Sequence, residues 1–578
     1  MEIMLEISSS SRKLVCEINH FADSSLVSDR PATYIALSFF ETRELDKMLE
    51  LSHFQHFAAG LTIIHAILVL IAASGAWLVL DYTRILLLRR KMPPGPFPLP
   101  IIGNTHLLPD KKPWIYFEQL SKQYNSGIIT FWIGRSPTVW LNDAKSASDL
   151  LDKRAATFSD QASLVTMKYG DRFRVHRKLT HIGVGMQQVR NYQQLQSDEN
   201  KVVLLDLLTD SENYVAHFER YAASVVSIIG FGRRISKITD PIITEVIWLM
   251  QRAAEHNVPG KTFPMLMETF PWLAKFPNRV APWKRGLGTP RAKNFFYALA
   301  EEAANNEGRD SYSKNLFAQA SKYNLSDMEL STLAGSLFGA GSDTSSSTLI
   351  TFVLACCAFP ESLPKAWEEL DRVVGPHRSP NFEDEPNLAY VKALVKEVLR
   401  WRSVAILGGQ PHAPIRDEMY KDWLIPKDTW VQGNVWAIHR NEKDFPDPDR
   451  FNPERYLEDS PDHRPFPNER GYMTFGWGRR VCAGQALAEK GTFISVARLL
   501  WAFNIQKAVD LSGNEIPVDI FDYTDGLNIR PNFFKCRISS RSEEIKRTIE
   551  REGRQAAEDL SVYNGETKYR ISTYSARN

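Results

Sequence analysis

The pattern of apolar and polar positions divides the chain into five stretches. Residues 1–57 are mixed and polar, show no clear period and suggest no role. Residues 58–80 are apolar and small, with no Asp, Glu, Lys or Arg. About 20 such residues suffice for one helical crossing of a bilayer. Trp77 and Tyr82 would mark one interface. Arg84, Arg89, Arg90 and Lys91 follow, which places the C-terminal side in the cytoplasm by the positive-inside rule. His65, Thr62 and Ser74 fit a buried core helix instead, but length and flanking charge favour the membrane. The segment lies too far along the chain for an ordinary cleaved signal peptide. Within residues 81–104, Pro93, Pro94, Pro96, Pro98 and Pro100 exclude helix and predict a stiff extended strap.

From 105 to 540 the pattern is mostly helical, broken by short strand-like runs such as 127–133. Ser326-Asp327-Met328-Glu329 is a capping box. It predicts a long helix ending near Phe359-Pro360. Residues 541–578 are highly charged and predict an exposed helix followed by a loose tail. No internal repeat is present.

Composition adds a few constraints. The net charge of 578 residues is +2, from 70 basic and 68 acidic side chains, so nothing points to nucleic acid. The cysteines, Cys16, Cys356, Cys357, Cys482 and Cys536, are sparse and odd in number. They do not form a disulfide framework, and the main domain is expected to face a reducing compartment. No G-x-G-x-x-G follows a strand and there is no P-loop, hence no evident nicotinamide or flavin site.

Chemistry concentrates in Phe475-Gly476-Trp477-Gly478-Arg479-Arg480-Val481-Cys482-Ala483-Gly484. Gly478 permits a tight turn and Gly484 a close approach. Arg480 offers a fork of donors suited to a carboxylate. Ala-Gly-Gln-Ala-Leu-Ala-Glu-Lys follows Cys482 and favours helix, so the sulfur is expected near a helix N-terminus, where thiolate is stabilised. An unpaired cysteine in a turn is the bland alternative. The segment resembles the heme-binding loop of the cytochrome P450 family, F-x-x-G-x-R-x-C-x-G, and matches it at Phe475, Gly478, Arg480, Cys482 and Gly484. The resemblance implies heme b with Cys482 as axial ligand. A thiolate ligand favours O–O cleavage.

Three further segments are similar to that family in the same order. Residues 169–178 match a propionate-holding W-x-x-x-R at Arg177, but place Phe173 at the tryptophan. Phenylalanine has no N–H, so one propionate hydrogen bond should be missing. Ala340-Gly341-Ser342-Asp343-Thr344 resembles the oxygen-activating helix. Ala340 and Gly341 would leave room for O₂, Thr344 would hydrogen-bond bound oxygen, and Asp343 would relay protons. Taken alone, this segment reads better as a small-residue helix contact. Glu397-Val398-Leu399-Arg400 and Arg455 resemble a buried network, E-x-x-R completed by a later arginine, with Tyr456 for the usual Phe. Its role would be structural. His412 is the candidate basic residue for a propionate.

The resemblance implies a mainly α fold with small β-sheets: one large heme-thiolate domain behind an N-terminal transmembrane helix. It implies a monooxygenase placing one atom of O₂ into a lipophilic small molecule, supplied with electrons by NADPH–cytochrome P450 reductase. The expected setting is the endoplasmic reticulum membrane, single-pass, with a cytoplasmic catalytic domain. Substrate contacts are expected at Ser163–Met167, Met265–Phe276, Phe338, Ala340, Ile406–Gly408 and Thr524–Asn528. Two other classes remain: an isomerase or dehydratase needing no external electrons, against which the Asp343–Thr344 pair argues, and a non-catalytic heme-binding protein.

Overall fold

The computed structural model describes residues 32–161, 169–256, 273, 275–277, 290–526 and 528–565. The chain falls into two compact units, residues 1–83 and 84–578.

The first unit is helical. Helix α1, Ala32–Arg89, starts well before the apolar run, inside the stretch where the sequence shows no period. Periodicity is not required here. Neither Pro nor Gly occurs between Ala32 and Ala59, and Leu, Glu, Lys and Met are strong helix formers. Within it, Gly60–Arg89 is long and apolar enough to cross a membrane, and none of its apolar window is buried. Ile63 and Leu70 are 60% and 65% exposed, which suits a helix facing lipid.

The second unit opens with the strap. Arg89 donates to the Gly95 carbonyl at 3.2 Å and lies 5.1 Å from the centre of the Phe97 ring. Thr130 N–H donates to the Pro94 carbonyl at 2.8 Å. The prolines are therefore docked on the domain. Only glycine fits at 95, because a Cβ would stand 1.9 Å from the Thr130 oxygen.

Thr130 belongs to β1, Ile128–Ile133, which pairs antiparallel with β2, Ser136–Leu141. The full sheet adds β3 (Asp160–Gln161), β4 (His412–Ala413) and β7 (Trp430–Gly433) in the order β1-β2-β7-β4-β3. Two hairpins complete the strands: β5 (Glu418–Tyr420) with β6 (Trp423–Ile425), and β8 (Phe503–Lys507) with β9 (Cys536–Ser540).

The helices that frame the site are α2 (Pro113–Gln123), α3 (Asp171–Val184), α4 (Met186–Thr209), α5 (Tyr214–Phe231), α6 (Pro241–His256) and α7 (Pro290–Ala304). After them come α8 (Asp327–Ala358), α9 (Pro364–Val373), α10 (Ala389–Trp401), α11 (Val435–His439) and α12 (Gln485–Ala502). Helix α8 starts at the predicted box: Ser326 caps it, with Glu329 reaching back to the Ser326 N–H at 3.0 Å. It runs through the middle of the domain against α5, α7 and α12. Its C-terminal half, Ser346–Cys357, is buried all round.

The last helix, α13 (Glu543–Asp559), is not the exposed appendage its charge suggests. Ile545, Thr548, Ile549, Gly553 and Ala556 form a buried stripe against α4. Helix packing is close, since a Cβ at Gly553 would lie 2.8 Å from Leu205. Beyond it the Tyr563 carbonyl accepts the Arg234 N–H at 2.8 Å, and the Gly565 carbonyl accepts Arg233 Nε at 2.8 Å. A charged face hides the stripe from a composition-based reading, because every third or fourth residue suffices to dock a helix.

Candidate active site

The loop ending at Cys482 is fixed from both sides. The Cys482 N–H donates to the Phe475 carbonyl at 2.9 Å, and Phe475 packs on the main core. Gly478 has φ +54°, and a Cβ there would fall 2.2 Å from the Leu151 carbonyl. Its N–H donates to Asp152 Oδ1 at 2.7 Å. Gly484 differs: nothing lies within 4 Å of the place its Cβ would take, so this side of the loop faces open space. Helix α12 begins at the next residue, as the sequence predicts.

Cys482 is exposed to a water-sized probe, yet burial pushes its thiol above the ordinary range. The Gly484 N–H and the Arg177 charge pull the other way.

Three cationic or imidazole side chains converge there. On α3, Arg177 Nη2 donates to the Val481 carbonyl at 2.6 Å. Arg480 Nε donates to the Ser159 carbonyl at 2.9 Å, and its guanidinium lies 3.7 Å from the centre of the Phe173 ring. His412 Nδ1 donates to the Phe158 carbonyl at 2.8 Å. Burial, with the field of Arg480, pushes the His412 imidazole down to about 4. It is therefore neutral at pH 7, and its second nitrogen is free of a proton.

Behind the loop lies a buried ion network. Glu397 receives two hydrogen bonds from Arg400, at 2.8 and 2.7 Å, with both side chains fully buried. Arg455 Nε stands 3.6 Å from Glu397, and the Asn452 N–H donates to Glu397 at 2.8 Å. Arg400 also donates to the His439 carbonyl at 2.9 Å. Thr474, next to Phe475, donates its hydroxyl to the Leu399 carbonyl at 2.6 Å. Tyr456 uses the hydroxyl that phenylalanine would lack, donating to Gly471 at 3.0 Å.

On α8, Ala340 is exposed although Phe338 and Gly339 beside it are buried. Thr344 donates its hydroxyl to the Ala340 carbonyl at 2.7 Å. Asp343 accepts a hydrogen bond from Asn528 Nδ2 at 3.3 Å, and burial raises its carboxyl.

Comparison with known sequences agrees with this geometry. The cytochrome P450 family profile matches residues 93–517. A cytochrome P450 monooxygenase of Armillaria gallica is 34% identical over 504 residues, covering 82% of this chain and 96% of the relative. Cytochrome P450 monooxygenase 58 of Postia placenta is also 34% identical, covering 78% and 90%. Cytochrome P450 monooxygenase fogE of Aspergillus ruber is 32% identical, covering 83% and 92%. The chain belongs to the cytochrome P450 family.

P450 enzymes use heme iron held by a cysteine thiolate, with a reductase, O₂ and substrate. The residues of this P450 fit that group. Cys482 is exposed, the loop is open at Gly484, and two guanidiniums and an imidazole, groups able to hold carboxylates, stand on the neighbouring segments. Phe173, which lacks a donor, instead gives Arg480 an aromatic face to rest on.

Two expectations on α8 change. Gly341 does not make room for O₂: a Cβ there would meet Val226 of α5 at 2.4 Å, so the missing side chain serves helix packing. Phe338 does not line a substrate space. It is fully buried, with its ring 5.5 Å from Phe231. Ile406 and Leu407 are likewise buried in the core. Ser163–Met167 and most of Met265–Phe276 lie outside the described residues.

The structure adds residues that the motifs pass over. Trp477 occupies a variable motif position, yet it is 1% exposed and fills the space left by Gly408 and Gly433, where a Cβ would meet its ring at 2.3 and 2.1 Å. Two glycines far away in sequence were the available hint. His439 has no sequence signal, and Asn528, expected only among substrate contacts, instead donates to Asp343.

Proposed function

We propose that this P450 oxidises a lipophilic small molecule, an intermediate of fungal secondary metabolism of polyketide, terpenoid or alkaloid type. Cys482 would hold the iron of heme b through its thiolate. Arg480, Arg177 and His412 would receive its propionates, while Phe475, Gly478 and Gly484 shape the ligand loop. Electrons come from NADPH–cytochrome P450 reductase, docked on the face that carries Cys482. Helix α1 anchors the enzyme once in the endoplasmic reticulum membrane, with the catalytic domain on the cytoplasmic side.

The observation that carries this reading is geometric: Cys482 is exposed, its loop opens to space at Gly484, and Arg177, Arg480 and His412 surround it. Heme, when bound, supplies the binding and reductive cleavage of O₂. The protein supplies the rest. The Gly484 N–H and Arg177 offset the cost of burying a thiolate. A propionate beside His412 would add a negative charge next to a neutral imidazole and draw a second proton onto it, making both nitrogens donors. Thr344 keeps its hydroxyl oxygen available as an acceptor while its proton is given to Ala340. Asp343, with its carboxyl raised by burial, takes and returns a proton nearer neutral pH than an exposed aspartate.

The reduced, CO-bound absorption spectrum of membranes containing the protein tests the ligand. A red-shifted band is expected for wild type and none for Cys482→Ala. A normal band in that variant would overturn the assignment. Product formation with reductase and NADPH across lipophilic candidates then tests the substrate class.

A further inference from the structure

Asp343 is joined to a part of the chain almost two hundred residues away, and that junction is charged. The segment from Thr524 to Arg530 is a closed loop: the Thr524 N–H donates to the Arg530 carbonyl at 2.9 Å, and the Arg530 N–H donates to Thr524 Oγ1 at 3.1 Å. The Ile529 N–H, donating to the Val404 carbonyl at 2.9 Å, ties the loop to the end of α10. From this fixed base Asn528 reaches Asp343 Oδ2 at 3.3 Å. Arg530, two residues on, pairs with Glu219 of α5 at 2.5 Å. Both partners of that pair are largely shielded, at 26% and 16% side-chain exposure.

Packed on this stretch of α8, α5 presents Val226 and α6 presents Met250, both apolar. The other α5 arginine at hand, Arg220, is committed to Glu199 and Asp206. The charge that acts on Asp343 is thus Arg530, which is itself paired with Glu219.

We propose that Asn528 and Arg530 are positioning residues for the Asp343 carboxyl, with Glu219 dividing the Arg530 charge, and that this three-residue junction sets how readily Asp343 takes and returns a proton. It rests on the reading of Asp343 as the proton carrier for oxygen activation. The Asn528 amide donates to one carboxylate oxygen and favours the ionised form. Arg530 favours it too, but Glu219 holds part of that charge back. The closed base of the loop holds Asn528 and Arg530 in place, and Glu219 on α5 meets Arg530 from the other element.

The signature is a pair of opposite shifts, which a merely structural role does not produce. The protonated-carboxyl infrared band that Asp343→Asn removes is titrated in the full-length protein in membranes. Asn528→Leu and Arg530→Gln should each move its midpoint up by about one pH unit. Glu219→Gln should move it down, because Arg530 is then released toward Asp343. The reduced CO spectrum of each variant verifies that the heme site is intact, and a variant that fails this check is replaced by Asn528→Ala or Arg530→Lys. Shifts in one common direction, no shift, or no band removed by Asp343→Asn would each overturn the proposal. The titration needs no turnover: if it behaves as expected while Asp343→Asn leaves product per NADPH unchanged, the junction stands and the relay role fails.

Discussion

The Nε2 of His439 accepts the backbone N–H of Met473 at 2.8 Å, while its Nδ1 donates to the Arg400 carbonyl at 3.0 Å. One imidazole thus joins the Glu397–Arg400 network to the chain two residues before Phe475. It must be neutral to do so, since an imidazolium cannot accept. Burial, then the field of Arg400, pushes its proton affinity down to about 3. The unfolded chain takes up that proton at its ordinary value of 6.5, and the folded protein does not until far lower pH. Stability is therefore expected to fall as pH drops below about 6.5, by up to about 1.4 kcal/mol per pH unit from this group. His412, pushed down to about 4, adds a loss of the same sign over a shorter window. Chemical denaturation of His439→Gln between pH 7 and pH 5 should show a shallower slope than wild type. An equal slope would remove His439 from the account.

Glu397 holds Arg400, the Asn452 N–H and, more loosely, Arg455 in a region without solvent. Glu397→Ala leaves two buried guanidiniums uncompensated and should cost about 3–5 kcal/mol. Because Arg400 and Leu399 bond to the segments leading to the cysteine loop, heme retention should fall with stability. Heme content after gel filtration, set beside the denaturation midpoint, checks both.

Gly341 touches Val226. Gly341→Ala should destabilise by about 1–3 kcal/mol through overpacking, and Val226→Ala in the same chain should recover much of it. Were the glycine needed for oxygen access, the double variant would stay as impaired in product formation as the single one.

Thr344 donates to the Ala340 carbonyl on the exposed side of α8. Thr344→Ala should keep the heme spectrum but divert reducing equivalents from NADPH into peroxide. Unchanged coupling of NADPH to product would take Thr344 out of the mechanism.

Much of this was legible in the chain because local chemistry dictates it. The capping box placed the start of α8, the absence of charge from 58 to 80 marked a helix apolar enough to cross a membrane, and Gly478 signalled a tight turn before Cys482. What stayed hidden depends on partners remote in sequence. Nothing around Gly341 announces Val226, which lies more than a hundred residues earlier. Nothing in the charged C-terminal run tells that Ile545, Ile549 and Ala556 meet α4. His439 and Asn528 act through a few hydrogen bonds to remote segments, which leave no periodicity to read.

The docked α13 makes the two ends of the molecule unequal for anyone engineering it. The front can be trimmed at the boundary near Arg84, provided the strap that bonds Pro94 to Thr130 is kept. The back offers no such margin. Stopping at the end of β9 would bare the α4 surface around Leu205 and unfasten the carbonyls that hold Arg233 and Arg234. Solubilising deletions and affinity handles therefore belong at the N-terminus. A C-terminal handle needs a spacer beyond Gly565, where the chain has finished its last contacts among the described residues.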